Sequence, residues 1–245
     1  MIHLLLINGW SANANFWGDF SNDLPDQFEL QVIDLNQEKT LGEWLEVIDQ
    51  NVTNNTLLMG WSLGGAFAIQ YAAISKKPFL GLITLQTNPC FIAKDSWPHG
   101  LAKSEFEMLY DLVLQSVESG EMASVIRRFS HLLVDGSLKH KGDRRNLKKC
   151  YSEITLANAR ALLSGLVFLC DFDLRQVLPK VSLPSLHLFG EQDALVAVDV
   201  SNDLKSLTLN SDNHKVLVLG EMAHLPCFSH RVEVISTLEA FVETL

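Results

Sequence analysis

The chain has 245 residues, 47% of them apolar, and its 29 acidic against 19 basic side chains give a net charge of −10. That length and apolar content suit one domain with an insertion or two small domains, and the negative charge argues against a nucleic-acid partner. Mean hydropathy is only +0.13 and no apolar run approaches the roughly 20 residues of a spanning helix, so no membrane segment is expected.

The N-terminal Met1-Ile2-His3-Leu4-Leu5-Leu6 has no basic flank and no small-residue cleavage site, so it reads as no signal peptide. It predicts a first strand over His3–Ile7, closed by the loop Asn8-Gly9-Trp10-Ser11. A second strand is predicted at Leu30–Ile33. The helix after it places Leu41, Trp44, Leu45, Ile48 and Val52 on one face and opens with a Thr40–Glu43 capping box. A third strand, Thr56–Met59, runs into Gly60-Trp61-Ser62-Leu63-Gly64-Gly65, and a helix is expected over Ala66–Ala73.

A serine between strand and helix can be an N-cap. The spacing Gly60-x-Ser62-x-Gly64 also matches a nucleophile elbow, a sharp turn that lifts the serine hydroxyl clear of the sheet. The pattern gains weight only if catalytic partners follow downstream.

After a fourth strand, Leu80–Leu85, the strand signals stop, and residues 92–175 read as three or four amphipathic helices. One starts at Ser104 with Glu107 completing a capping box. A second carries Val125, Ile126, Phe129, Leu132 and Leu133, and a third spans Leu156 to Leu169. Strands resume at Ser185–Phe189 and Lys215–Leu219. The order predicts an α/β fold, with a mostly parallel sheet flanked by helices (residues 1–91 and 176–245) and an all-helical lid inserted at 92–175. Between Arg127 and Lys149 the chain carries net +6, against −16 elsewhere. A solvated helix face is the ordinary reading of such a run.

A serine nucleophile needs a base, and the base needs an orienting acid. Asp193 stands just beyond the fifth predicted strand and His224 just beyond the sixth, so both emerge at the same sheet edge as Ser62. Glu191 competes for the acid role, whereas Gln86-Thr87-Asn88-Pro89 after the fourth strand offers no carboxylate. His3 and His187 lie inside strands, and His99, His131, His140, His214 and His230 lack the strand-then-loop placement. An oxyanion hole would take the backbone N–H of Leu63 and one from the first loop, Trp10. Trp61 reads equally as a core aromatic. A non-catalytic receptor would have no need of the whole Ser62, Asp193 and His224 set. Four widely spaced cysteines without a CxxC argue against zinc and disulfides, so neither metal nor cofactor is expected and a reducing cytoplasm is the expected setting.

These residues resemble the α/β-hydrolases, and more narrowly the pimeloyl-acyl carrier protein methyl ester carboxylesterases of biotin synthesis. The resemblance rests on the elbow, on Asn88-Pro89-Cys90-Phe91 with Asp95-Ser96-Trp97-Pro98, on Asp173-Leu174-Arg175-Gln176, on Val181-Ser182-Leu183-Pro184 and on Ala223-His224-Leu225-Pro226. It implies the triad Ser62, Asp193 and His224, an oxyanion hole of Trp10 and Leu63, and substrate running along Phe129, Ser130, His131, Leu132 and Leu133. It further implies a cytoplasmic, monomeric carboxylesterase whose partner, acyl carrier protein, is gripped by Arg128, Lys141 and Arg145. A general short-chain carboxylesterase or a carbon–carbon bond hydrolase of the same fold is the alternative. Three departures stand out: Asn8 replaces the usual His, Ser124 replaces a basic residue, and the leading hairpin is missing.

Overall fold

In the computed structural model, which describes residues 1–151 and 156–245, every predicted strand forms. Their bounds are β1 (Ile2–Ile7), β2 (Phe28–Ile33), β3 (Thr56–Trp61), β4 (Gly81–Leu85), β5 (Ser185–Gly190) and β6 (His214–Leu219). They make one parallel sheet in the order β2-β1-β3-β4-β5-β6. Ile7 pairs with Ile33 and Gly60, Trp61 with Leu85, and Gly190 with Leu219. The C-terminal ends therefore share one edge, where open α/β sheets bind ligands.

Alternating side chains send the two halves of each strand's apolar content to opposite faces. Leu4, Leu6, Leu57, Met59 and Ile83 pack with Phe20 of α1 (Gly18–Asp23) and with Val234 and Leu238 of α9 (Arg231–Val242). Leu5, Ile7, Leu58 and Leu82 pack with Ile48 of α2 (Leu41–Asn51), Phe67 of α3 (Leu63–Ile74) and Leu204 of α8 (Val200–Leu207). Each fully buried aliphatic side chain contributes roughly 1.5–3 kcal/mol, and coverage on both faces explains why the central strands β3, β4 and β5 are buried along their whole length, whereas the edge strands β2 and β6 keep exposed positions. The Thr40–Glu43 capping box forms, with Glu43 accepting from the Thr40 N–H at 2.7 Å and Thr40 Oγ1 accepting from the Glu43 N–H at 3.3 Å.

Between β4 and β5 lie α4 (Lys103–Ser119), α5 (Met122–Val134), α6 (His140–Cys150) and α7 (Leu156–Asp171). The expected Ser104–Glu107 capping box is not there. The helix starts one residue earlier, and the Phe106 N–H already bonds the Ala102 carbonyl at 3.0 Å, leaving Ser104 inside the first turn. The insertion is closed at its base by a clasp. Leu174 N–H bonds the Pro89 carbonyl at 2.7 Å, and Asp173 takes Arg175 through two nitrogens (2.8 and 2.7 Å) and Lys94 at 2.6 Å. The Arg175 guanidinium, with Lys94 behind it, holds the Asp173 carboxyl well below the usual range. Arg175 also donates to Ser96 at 2.8 Å, and Trp97 donates to Asn88 at 3.0 Å. The motif residues at the two ends of the insertion thus bond to one another.

A buried polar chain crosses the sheet. Thr84 Oγ1 meets His187 Nδ1 at 2.8 Å, His187 Nε2 meets His214 Nδ1 at 3.0 Å, and His214 Nε2 meets the Val181 carbonyl at 3.0 Å. With the Val181 carbonyl as terminal acceptor, both imidazoles are neutral and each passes one N–H along. Burial pushes His187 down to about 3, with His214 adding to the shift. Above pH about 6.5 the unfolded histidine is also neutral and the site costs nothing. Below that pH the unfolded chain binds a proton the fold refuses, so stability should fall by about 1.4 kcal/mol per pH unit until pH nears 3. Urea titrations across this range should show a loss that His187→Leu reduces. An equal slope in both proteins would assign the loss to other groups.

Candidate active site

Ser62 stands at the first turn of α3 with φ 54° and ψ −118°, and its side chain caps no helix N–H. The capping alternative is thereby removed. A Cβ on Gly60 would collide with the Gly64 carbonyl, and one on Gly64 with the Ile7 carbonyl, so the tight strand-to-helix crossing needs both glycines. Ser11, Gln86 and Glu221 also have positive φ (64°, 47° and 60°), and with Ser62 they follow the C-terminal ends of β1, β4, β6 and β3. Among the described residues, these are the non-glycine positions with that strain. Its concentration at one sheet edge marks a site.

Asp193 and His224 are buried there together. Asp193 Oδ2 accepts from His224 Nδ1 at 2.8 Å, while Asp193 Oδ1 accepts the Leu195 and Val196 N–H groups at 2.8 and 2.9 Å. An accepting carboxylate places the imidazole proton on Nδ1 and leaves Nε2 as a base. Glu191 is exposed and bonds the Glu221 N–H at 3.3 Å instead. Trp61, adjacent to the serine, donates its indole N–H to the His224 carbonyl at 2.9 Å, which ties the histidine loop to the elbow. Gln86 donates to the Ala223 carbonyl from a fully buried position. Ser62 Oγ makes no hydrogen bond to His224 here, and contacts of this kind commonly tighten in the substrate complex.

The first loop abuts the serine, since a Cβ on Gly9 would sit 3.2 Å from Ser62 Cβ. The N–H of Leu63 heads its helix, and neither it nor the N–H of Trp10 has a partner among the described residues. Asn8 fixes this loop: it donates to Asp34 and accepts from Trp17 Nε1 at 2.5 Å. Burial raises Asp34, and the Asn8 bond opposes that shift. Trp10 is held by its own indole bond to the Leu162 carbonyl (2.8 Å) and by an edge contact with Phe129 at 4.6 Å.

The five residues expected along the substrate separate in space, because consecutive residues go right round a helix. Phe129 meets Trp10, Ser130 and His131 line a cavity between α5 and α6, Leu132 is 41% exposed, and Leu133 is buried in the core. Arg128 faces a groove between α4 and α5, while Lys141 and Arg145 are exposed on α6. The supporting bonds of Trp61 and Gln86 have no sequence signal beyond position at or next to a strand's C-terminal end, whereas Asn8 stands out in the sequence as a departure from the usual His in the oxyanion loop.

The fold and this edge define an α/β-hydrolase. A model of the alpha/beta hydrolase fold family matches residues 40–231, and the chain belongs to that family. Among solved structures it is similar to an esterase from Exiguobacterium antarcticum (21% identity, 99% of this chain and 92% of that one, TM-score 0.80). It is similar also to a bromoperoxidase from Bacillus anthracis (18%, 99% and 92%, TM-score 0.81) and to MenH from S. aureus (17%, 99% and 94%, TM-score 0.77). At these identities the likeness is one of fold. No helix among the described residues is long and apolar enough to cross a membrane.

Proposed function

We propose that the chain is a serine carboxylesterase with Ser62 as nucleophile, His224 as general base and Asp193 as its orienting acid. The observation that carries this reading is the buried Asp193–His224 bond beside an elbow serine whose hydroxyl has no capping duty. His224 Nε2 takes the Ser62 proton as Oγ attacks the ester carbonyl, and the N–H groups of Trp10 and Leu63 receive the oxyanion. Collapse expels the alcohol, protonated by His224, and leaves an acyl-serine. Water, deprotonated by the same imidazole, then releases the acid.

The esterases among the similar structures favour a general short-chain carboxylesterase. The narrower reading, hydrolysis of the methyl ester of pimeloyl-acyl carrier protein, draws on the lid-base motifs and on the exposed cations Arg128, Lys141 and Arg145. Among the described residues none of these cations is in an ion pair.

One comparison tests both readings. The wild type should hydrolyse p-nitrophenyl acetate; failure on every small ester would remove the esterase reading. Changing Arg128, Lys141 and Arg145 to Glu should raise KM for the carrier-bound methyl ester and leave the small ester untouched. Salt at physiological strength, where charges are screened beyond about 8 Å, should weaken only the carrier-bound reaction. Equal rates on carrier-bound and free methyl ester, insensitive to salt and charge reversal, would leave the general carboxylesterase.

A further inference from the structure

Three of the lid's cations are arranged differently from the rest. Arg127 on α5 and Arg144 and Lys148, one turn apart on α6, line a cavity of about 790 Å³ between the two helices. Its apolar wall includes Met122 and Ile126, both buried in the main core cluster, and Tyr151. Among the described residues no carboxylate lines it, and none of the three cations is in an ion pair. Among the described residues Arg144 donates to His131 Nδ1. A solvated helix face spreads its charges outward, as Lys141 and Arg145 do. Here three like charges from two helices instead meet at one concavity, an arrangement that favours a bound anion. Tyr151 also lies 3.5 Å from Ser11 Oγ, so the cavity wall touches the strained first loop.

We propose that this cavity binds an amphipathic anion, a phosphate or carboxylate head on an apolar tail. The two guanidinium groups and Lys148 take the head, and Met122 and Ile126 take the tail. Guanidinium forks match the paired oxygens of such heads, and the volume falls within the usual range for small-molecule pockets. The inference goes beyond the esterase reading and does not depend on Ser62.

Calorimetry on the wild-type protein with octyl phosphate, octanoate, octanol and inorganic phosphate tests it directly. Octyl phosphate or octanoate should bind well above both octanol and inorganic phosphate, and the tighter of the two identifies the head. Added salt should weaken that binding. Arg127→Gln and Arg144→Gln should each cost about tenfold in affinity with thermal stability unchanged, because both side chains are exposed. Ala123→Phe, at a lining position, should block the tail while leaving every charge in place. Octanol binding as tightly as the anions, or affinity indifferent to both arginine substitutions, would overturn the proposal. So would the absence of binding by either anionic amphiphile.

Discussion

Ser62→Ala should lower esterase turnover by a factor on the order of 10⁴ or more, the scale found when a triad nucleophile is removed. The fold should survive, since the hydroxyl caps no helix N–H and donates no structural bond. Ser62→Gly makes the same chemical deletion with a different structural effect. At φ 54° alanine inherits the strain of serine, whereas glycine relieves it. The glycine variant should therefore be as inactive as the alanine one and more stable by about 1 kcal/mol. Paired thermal melts and steady-state rates check both halves. Near-normal turnover by Ser62→Ala would end the serine mechanism. Equal melting of the two variants would mean the elbow stores no strain.

Asp193→Asn should be nearly as damaging to turnover, also on the order of 10⁴, and for a geometric reason. Asp193 Oδ1 receives the N–H groups of Leu195 and Val196, so an amide at this position must turn its oxygen toward them. Its NH₂ then faces His224 Nδ1, which must accept. That moves the imidazole proton to Nε2, the nitrogen that has to take the serine proton, and the base is lost without loss of packing. Glu191→Gln touches only the Glu221 turn and should leave kinetics close to wild type. A mild Asp193→Asn alongside a severe Glu191→Gln would reverse the assignment.

Some of this arrangement was open to inspection in the chain itself. The six strands were legible because each is short, apolar and bounded by turn residues, and local periodicity reports local structure. The α2 capping box was legible for the same reason, its two residues being three apart. That Ser62, Asp193 and His224 share one sheet edge was legible because each follows a strand, and parallel strands must end at one edge. What the sequence could not decide was set by contacts between distant segments. The Ser104–Glu107 pair has the right spacing for a cap, yet the helix begins earlier, at Lys103 with Ala102 as its N-cap, and spacing carries no information about which turn closes first. The sequence prefers Asp193 to Glu191, but only the tertiary structure shows how the Leu195 and Val196 N–H groups hold one Asp193 oxygen while the other meets His224. The resemblance sets Phe129 to Leu133 along the substrate, and it is the helical rotation of the folded lid that puts Leu133 in the core, Leu132 toward solvent and Phe129 against Trp10. The basic residues between 127 and 149 were a charge count in one dimension. Packing α5 against α6 divided them into an outward set and three that share a cavity, because only the relative rotation of two helices determines which side chains converge.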